Sequence, residues 1–207
     1  MSARQYAARN MGVQSTMAFS TVRFVFPIVA VVAPLVLTSC ATLNEEECIT
    51  TNWRDLGTTD GQAGRPQTYV KLHRDACGKH GLPVDEQSWR DGWEVGIRSY
   101  CTPQTGLREG REGRSYSNSC PPDVAPGFEN AYEVGRRVHD ARAERDRIQR
   151  EIDSLLANIG KTESKDERRA LRTRISSLET QLYIAEGRIR EAELAYDRYV
   201  SFNGLAG

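Results

Sequence analysis

Three residues at helical spacing are the first candidates for chemistry. His73, Cys77 and His80 stand at i, i+4 and i+7, so a helix would place them on one face. Such a trio can hold zinc or copper. Asp55, Asp60, Asp85 and Asp91 are available acids, and His73 and His80 available bases, for general acid–base work. Trp53, Trp89 and Trp93, read with Asp60 and His73, offer a third chemistry: rings and polar groups on which a sugar can stack and bond. Each reading meets an objection. Gly78 and Gly81 interrupt the metal trio, and Asp60 before Gly61 is most simply a turn or capping residue. The chain has no Gly-x-Ser-x-Gly elbow, no His-Glu-x-x-His helix, no Cys-x-x-Cys-His and no phosphate-loop spacing. The sequence therefore gives no catalytic residue, no metal site and no cofactor. Trp53, Asp60, His73, Trp89 and Trp93 stand as the candidate ligand-binding set.

The N-terminus reads as an address. Phe24 to Leu37 form a 14-residue apolar run behind Arg23, with Pro27 and Pro34 inside it. A bilayer-spanning helix needs ~20 apolar residues, so the run is too short to span. A short apolar core behind a positive residue is the layout of a secretory signal. Leu37-Thr38-Ser39-Cys40 then resembles the bacterial lipobox, which makes Cys40 the expected lipidation site and the mature N-terminus. Residues 1–39 are thus the expected signal peptide, and Met17 is the expected start. Ala41, not Asp, follows the cysteine; by the enterobacterial sorting rule this favours the outer membrane, facing the periplasm. Several acyl chains on one cysteine, palmitate among them, would hold the protein firmly.

Export places Cys48, Cys77, Cys101 and Cys120 in an oxidising compartment. An even count there predicts two disulfides, and three pairings are open. The 28 basic and 28 acidic residues balance, and without residues 1–39 the chain carries 25 against 28. No basic stripe points to nucleic acid.

Residues 48 to 139 are punctuated by glycine. Aromatic or aliphatic residues precede Gly57, Gly92, Gly96, Gly110 and Gly135 by three or four positions, a weak repetition of short helices with a period too irregular for a solenoid. Rings of Trp53, Trp89, Trp93 and Tyr100 are expected on glycine faces. Gly106, Gly110 and Gly113 are expected in turns, because their segment is rich in turn formers between Pro103 and Pro121. The order Cys48, Trp53, Gly57, Asp60-Gly61, Gly64, His73, Cys77, Gly81, Asp85, Trp89, Gly92, Gly96, Tyr100-Cys101, Gly106, Gly110, Gly113, Tyr116, Cys120-Pro121, Phe128, Tyr132, Gly135 resembles a bacterial lipoprotein family known as domain of unknown function 2799. Trp89 stands where that family often has Tyr. The resemblance implies an envelope location and a compact helical module; it implies no activity.

After Pro126-Gly127 no Pro or Cys follows, and charges are dense and interleaved. Leu171, Ile175, Leu178, Leu182, Ala185, Ile189, Ala192, Tyr196 and Tyr199 advance in alternating steps of 4 and 3. Val134, Val138, Ala141, Arg145, Ile148, Ile152, Leu155 and Ile159 do the same, with Arg145 the one polar intruder. Gly160 to Asp166 breaks the pattern. Two apolar seams joined by a polar break predict an antiparallel coiled-coil hairpin.

The expected protein is all-α: a signal at 1–39, a tether at 40–47, a disulfide-stapled Cys/Gly/Trp module at 48–127, a hairpin at 128–200 and a tail at 201–207. The expected role is structural or interactive, with the membrane as one partner and an envelope protein as another through residues 128–200. An envelope glycan- or small-ligand-binding module, or a hydrolase, is the alternative.

Overall fold

A computed structural model describes residues 42–205. The expected signal segment and Cys40 lie outside the described residues. Within them the structure is helical: α1 (Glu45–Thr50), α2 (Trp53–Gln62), a 3-10 turn (Gln67–Tyr69), α3 (Val70–Gly78), α4 (Glu86–Tyr100), α5 (Pro103–Arg111), α6 (Ala125–Ile159) and α7 (Lys165–Phe202). Local sequence explains the starts. Asn44, Asn52, Asp85, Thr102 and Ser164 each accept a hydrogen bond from a first-turn N–H, which satisfies donors that the helix itself leaves open. Pro103 sits in the first turn of α5, where a missing N–H costs nothing.

The glycines decide the packing. A Cβ on Gly57 would lie 1.9 Å from the Trp89 carbonyl oxygen, and one on Gly92 would lie 1.9 Å from that of Arg54. Gly96 meets the Thr58 carbonyl in the same way, and Gly61 meets that of Trp93. Helices α2 and α4 therefore touch backbone to backbone. Helices α5 and α6 do so as well: Gly106 lies on the Phe128 carbonyl, Gly110 on that of Tyr132, and Gly135 on that of Leu107. This corrects two expectations. Gly106 and Gly110 are not turn residues but the contact face of a helix. The tryptophan rings do not rest on glycines; the tryptophan carbonyls do. Of these four rings Tyr100 does lie on a glycine, Gly64, whose φ of 71° already favours a residue without Cβ.

The two helix pairs repeat one another. A shift of 49 residues carries Gly57, Asp60, Gly61, Gly64 and Arg65 onto Gly106, Glu109, Gly110, Gly113 and Arg114. A shift of 39 carries Trp89, Gly92, Trp93, Gly96 and Tyr100 onto Phe128, Ala131, Tyr132, Gly135 and His139. The contacts repeat with the residues. Trp93 Nε1 donates to the Arg65 carbonyl at 2.8 Å, and the Tyr132 hydroxyl donates to the Arg114 carbonyl at 2.6 Å. Tyr100 covers Gly64, and His139 covers Gly113. The first copy carries extra chain between its helices, and that chain supplies the 3-10 turn and α3.

Disulfides join Cys48 to Cys77 and Cys101 to Cys120. The first ties α1 to α3; the second ties the end of α4 to the loop before α6. Within residues 42–47, expected as tether, Leu43 is buried with Cys48, Ala76 and Cys77, while Asn44 to Glu47 stay exposed. The expected boundary at 127/128 falls inside α6, whose first turns belong to the glycine-paired core. Beyond them α6 and α7 pair along the expected seam, with Ile148, Ile152, Ile175, Leu178 and Ala185 buried. Arg142–Glu193 and Arg174–Glu151 bridge the two helices. Arg145 is half-buried in the seam; its Nε lies 2.7 Å from Asp146 but is not aligned for a hydrogen bond.

Two outcomes follow from this packing. Gly57→Ala or Gly92→Ala must force α2 and α4 apart, so urea unfolding should show a loss near the upper end of the overpacking range, ~3 kcal/mol. Gly187→Ala, on α7, where a Cβ would make only an ordinary contact with the Arg190 side chain at 3.8 Å, should gain up to ~1 kcal/mol from helix propensity. Separately, burial and then the nearby Glu109 charge push the Tyr100 phenol up to about 12. The unfolded phenol ionises near 10. The folded chain thus keeps a proton that the unfolded chain loses, and stability should fall as pH rises from about 10 towards 12. Tyr100→Phe should flatten that fall in unfolding midpoints measured across the range.

Candidate functional site

The five residues of the candidate ligand set do come together, but in the interior. Asp60 lies in α2 just before Gly61, where the close approach of α4 turns its carboxylate towards Trp89. One oxygen, Oδ2, accepts from Trp89 Nε1 at 2.9 Å and lies 2.8 Å from His73 Nε2. His73 is held by α3, the helix that the repeat's second copy lacks. Its Nδ1 lies 3.0 Å from the Thr42 hydroxyl. The tautomer that satisfies every atom has Nε2–H donating to the carboxylate and Nδ1 accepting from Thr42. Tyr69 meets the imidazole edge-on at 5.3 Å, and Trp53 and Trp89 flank it at 6.5 and 6.3 Å. Trp93 stacks behind Trp89 at 6.4 Å.

A hydroxyl, an imidazole and a carboxylate in line have the order of a nucleophilic triad. The surroundings argue for a structural role. His73 is 2 % exposed, Asp60 8 % and Trp89 0 %. The one carboxylate oxygen facing His73 is already shared with an indole. The larger clefts open elsewhere: one of about 620 Å³ is lined by Pro66, Trp93, Glu94, Arg98, Ser119 and Cys120. Buried polar groups of this kind fix one arrangement of the core when fully bonded, and are costly when one partner is removed.

The remaining candidates separate. Cys77 is bound to Cys48, so the expected trio His73, Cys77 and His80 lacks its thiol. His80 is on the surface, 3.6 Å from Glu45. No group of three metal-capable side chains occurs among the described residues. Asp85 caps α4, and its hydrogen bonds from Ser88 hold its carboxyl below the usual range. Asp55 and Asp91 are exposed on their helices.

Glu109 is a buried acid that reading the sequence did not single out. It is the repeat's counterpart of Asp60 and is 6 % exposed. Without an α3 to bring a histidine, it takes Arg108 at 3.2 Å and Arg114 at 3.6 Å. The available signal was the acid before the second glycine of each phrase, Asp60-Gly61 and Glu109-Gly110. Both acids thus sit at the same point of the same helix contact, and each is matched locally.

The buried network makes a stability prediction. Asp60→Ala orphans the Trp89 and His73 N–H groups, at ~1–3 kcal/mol each. Asp60→Asn keeps one acceptor and should lose less. Urea midpoints that rank the variants wild type, Asn, Ala confirm the network; equal midpoints would remove it as a determinant.

No curated protein and no solved structure matches the chain. One family model does, described as "Protein of unknown function (DUF2799)", over residues 52–137. The matched span runs from Asn52, the cap of α2, into α6 two residues past Gly135, so it takes in both glycine-paired copies and stops where the hairpin leaves the core. Residues 52–137 of this chain are a DUF2799 domain.

Proposed function

We propose that this protein is an envelope lipoprotein, anchored through Cys40, whose domain is a scaffold and whose α6–α7 hairpin docks a protein partner. The single observation carrying the non-enzymatic reading is that, among the described residues, the juxtaposition of acid, imidazole and hydroxyl, Asp60–His73–Thr42, has its acid and imidazole buried and already bonded, with only Thr42 partly open. Export is supported by the two disulfides, which form and persist in oxidising compartments. A docking role is supported by the apolar side chains the hairpin leaves outside its own seam. Leu156, Tyr183, Ile184, Leu194 and Phe202 are all exposed, Tyr183 to 71 % and Phe202 to 92 %. At 35 residues, α6 is ~50 Å long, enough to carry a contact surface well away from its root. The seam itself is used up within the hairpin, so these exposed side chains are what a partner would meet.

A second reading has one observation in its favour. The cleft beside Trp93, with Glu94, Arg98 and Ser119 on its walls, is of a size that suits a small ligand or a glycan unit. The Trp93 ring is 6 % exposed, which leaves little face for a sugar to stack on.

Labelled palmitate should enter the wild type in a two-membrane bacterium and not Cys40→Ser; equal labelling of both would end the anchor assignment. A photo-crosslinking residue at Lys161 or Tyr183 should give discrete protein adducts in living cells. Adducts absent there, with cell-wall fragments retained by wild type and released by Glu94→Gln or Arg98→Ala, would favour the cleft.

A further inference from the structure

The segment next to Cys40 is bound to the domain almost from its first residue. The Thr42 hydroxyl meets His73 Nδ1 at 3.0 Å. Leu43 is buried against Ala76 and the Cys48–Cys77 disulfide. Asn44 and Glu47 close a reciprocal cap at the start of α1. Only Ala41 lies between Cys40 and this fixed run. Consecutive Cα atoms are 3.8 Å apart, so Thr42 lies no more than ~8 Å from the Cys40 Cα. A lipid on Cys40 would therefore have no tether to speak of.

We infer that the surface formed by α1 and α3 lies against the headgroup layer of the membrane, held there by the pinning of Thr42 and Leu43. The inference rests on the proposed lipidation of Cys40. Thr42 touches α3 directly, and the disulfide fastens α1 to α3, so the two helices are the part of the domain that the leash reaches. Their charges suit zwitterionic headgroups. Glu45, Glu46 and Glu47 lie exposed on α1, while Lys71, Arg74 and Lys79 lie exposed on or beside α3. The surface so presents both signs side by side instead of one strong sign, which would select for or against anionic lipid. Ile49 is 65 % exposed on α1 and Leu72 48 % exposed on α3, apolar side chains that such a layer can receive. A domain held this way is oriented as well as anchored: the anchor's position fixes which side of the core faces lipid.

The test uses the full-length lipidated protein in vesicles of phosphatidylethanolamine and phosphatidylcholine. A photo-crosslinking residue is placed at Ile49, at Leu72 or, as the distant control, at Tyr183, and lipid adducts are read by mass spectrometry together with the acyl chains on Cys40. The expected result is lipid adducts from Ile49 or Leu72 and none from Tyr183. Twenty Gly/Ser residues inserted between Ala41 and Thr42 would give a flexible tether of ~25 Å. That insertion should abolish the adducts while leaving the fold intact. Acylated Cys40 without adducts at Ile49 or Leu72 overturns this inference alone. Adducts that survive the spacer overturn the short leash as their cause. A Cys40 that carries no lipid in the native host removes the anchor reading and this inference together.

Discussion

The close contact of helix backbones at glycine is the constraint on which the rest depends. Gly57, Gly92 and Gly96 in one pair, and Gly106, Gly110 and Gly135 in the other, leave no room for a single methyl group. Glycine weakens each helix by ~1 kcal/mol per site, so these helices are poor ones alone. They are held by each other and by the two disulfides. The close approach also sets where other side chains go. It brings α4 near enough for Trp89 to reach Asp60, and it lets Trp93 and Tyr132 reach carbonyls at the ends of α2 and α5. A domain with few aliphatic side chains can then have a defined core, because backbone and aromatic rings fill it.

From that constraint the functional reading follows by elimination of access and by reach. The acid, imidazole and indole are spent on holding helices together, so the core is a fixture. What the protein offers outward is a surface near its N-terminus, a cleft beside Trp93 and a long hairpin. Glu109 and Asp60 make the point from two sides. The same position in the repeat is matched by arginines in one copy and by an inserted histidine in the other. In the first copy the extra chain also carries Cys77 and the contact to Thr42.

Much of this was legible in the residues, for physical reasons that differ by element. The seams of Leu171 to Tyr199 and Val134 to Ile159 were visible because a 4–3 alternation has no other common source, and the break at 160–164 is where α6 and α7 part. Disulfides were visible from an even cysteine count; the pairing was not, since it depends on which helices meet. Gly106 and Gly110 read as turn residues because glycine is intrinsically a poor helix former, and only the partner helix overrides that. The repeat was blurred because its two phrases alternate along the chain with unequal spacing. The expected boundary at 127/128 came from Pro126 and Gly127 reading as a break, whereas α6 runs through them because a proline in its first turn is tolerated. Trp53, Asp60, His73, Trp89 and Trp93, read as one ligand-binding set, do lie near one another in the interior, and sequence does not say which side of a helix pair is sealed.

Amide hydrogen exchange on the disulfide-intact protein tests the central claim most directly, because it reports which segments are held most firmly. The account predicts the slowest exchange in α2, α4, α5 and the first turns of α6, where glycines bring backbones together, and faster exchange along residues 140–200. Slowest exchange in the hairpin, with α2 and α4 opening early, would mean that the coiled coil holds the molecule together and that the glycine contacts do not.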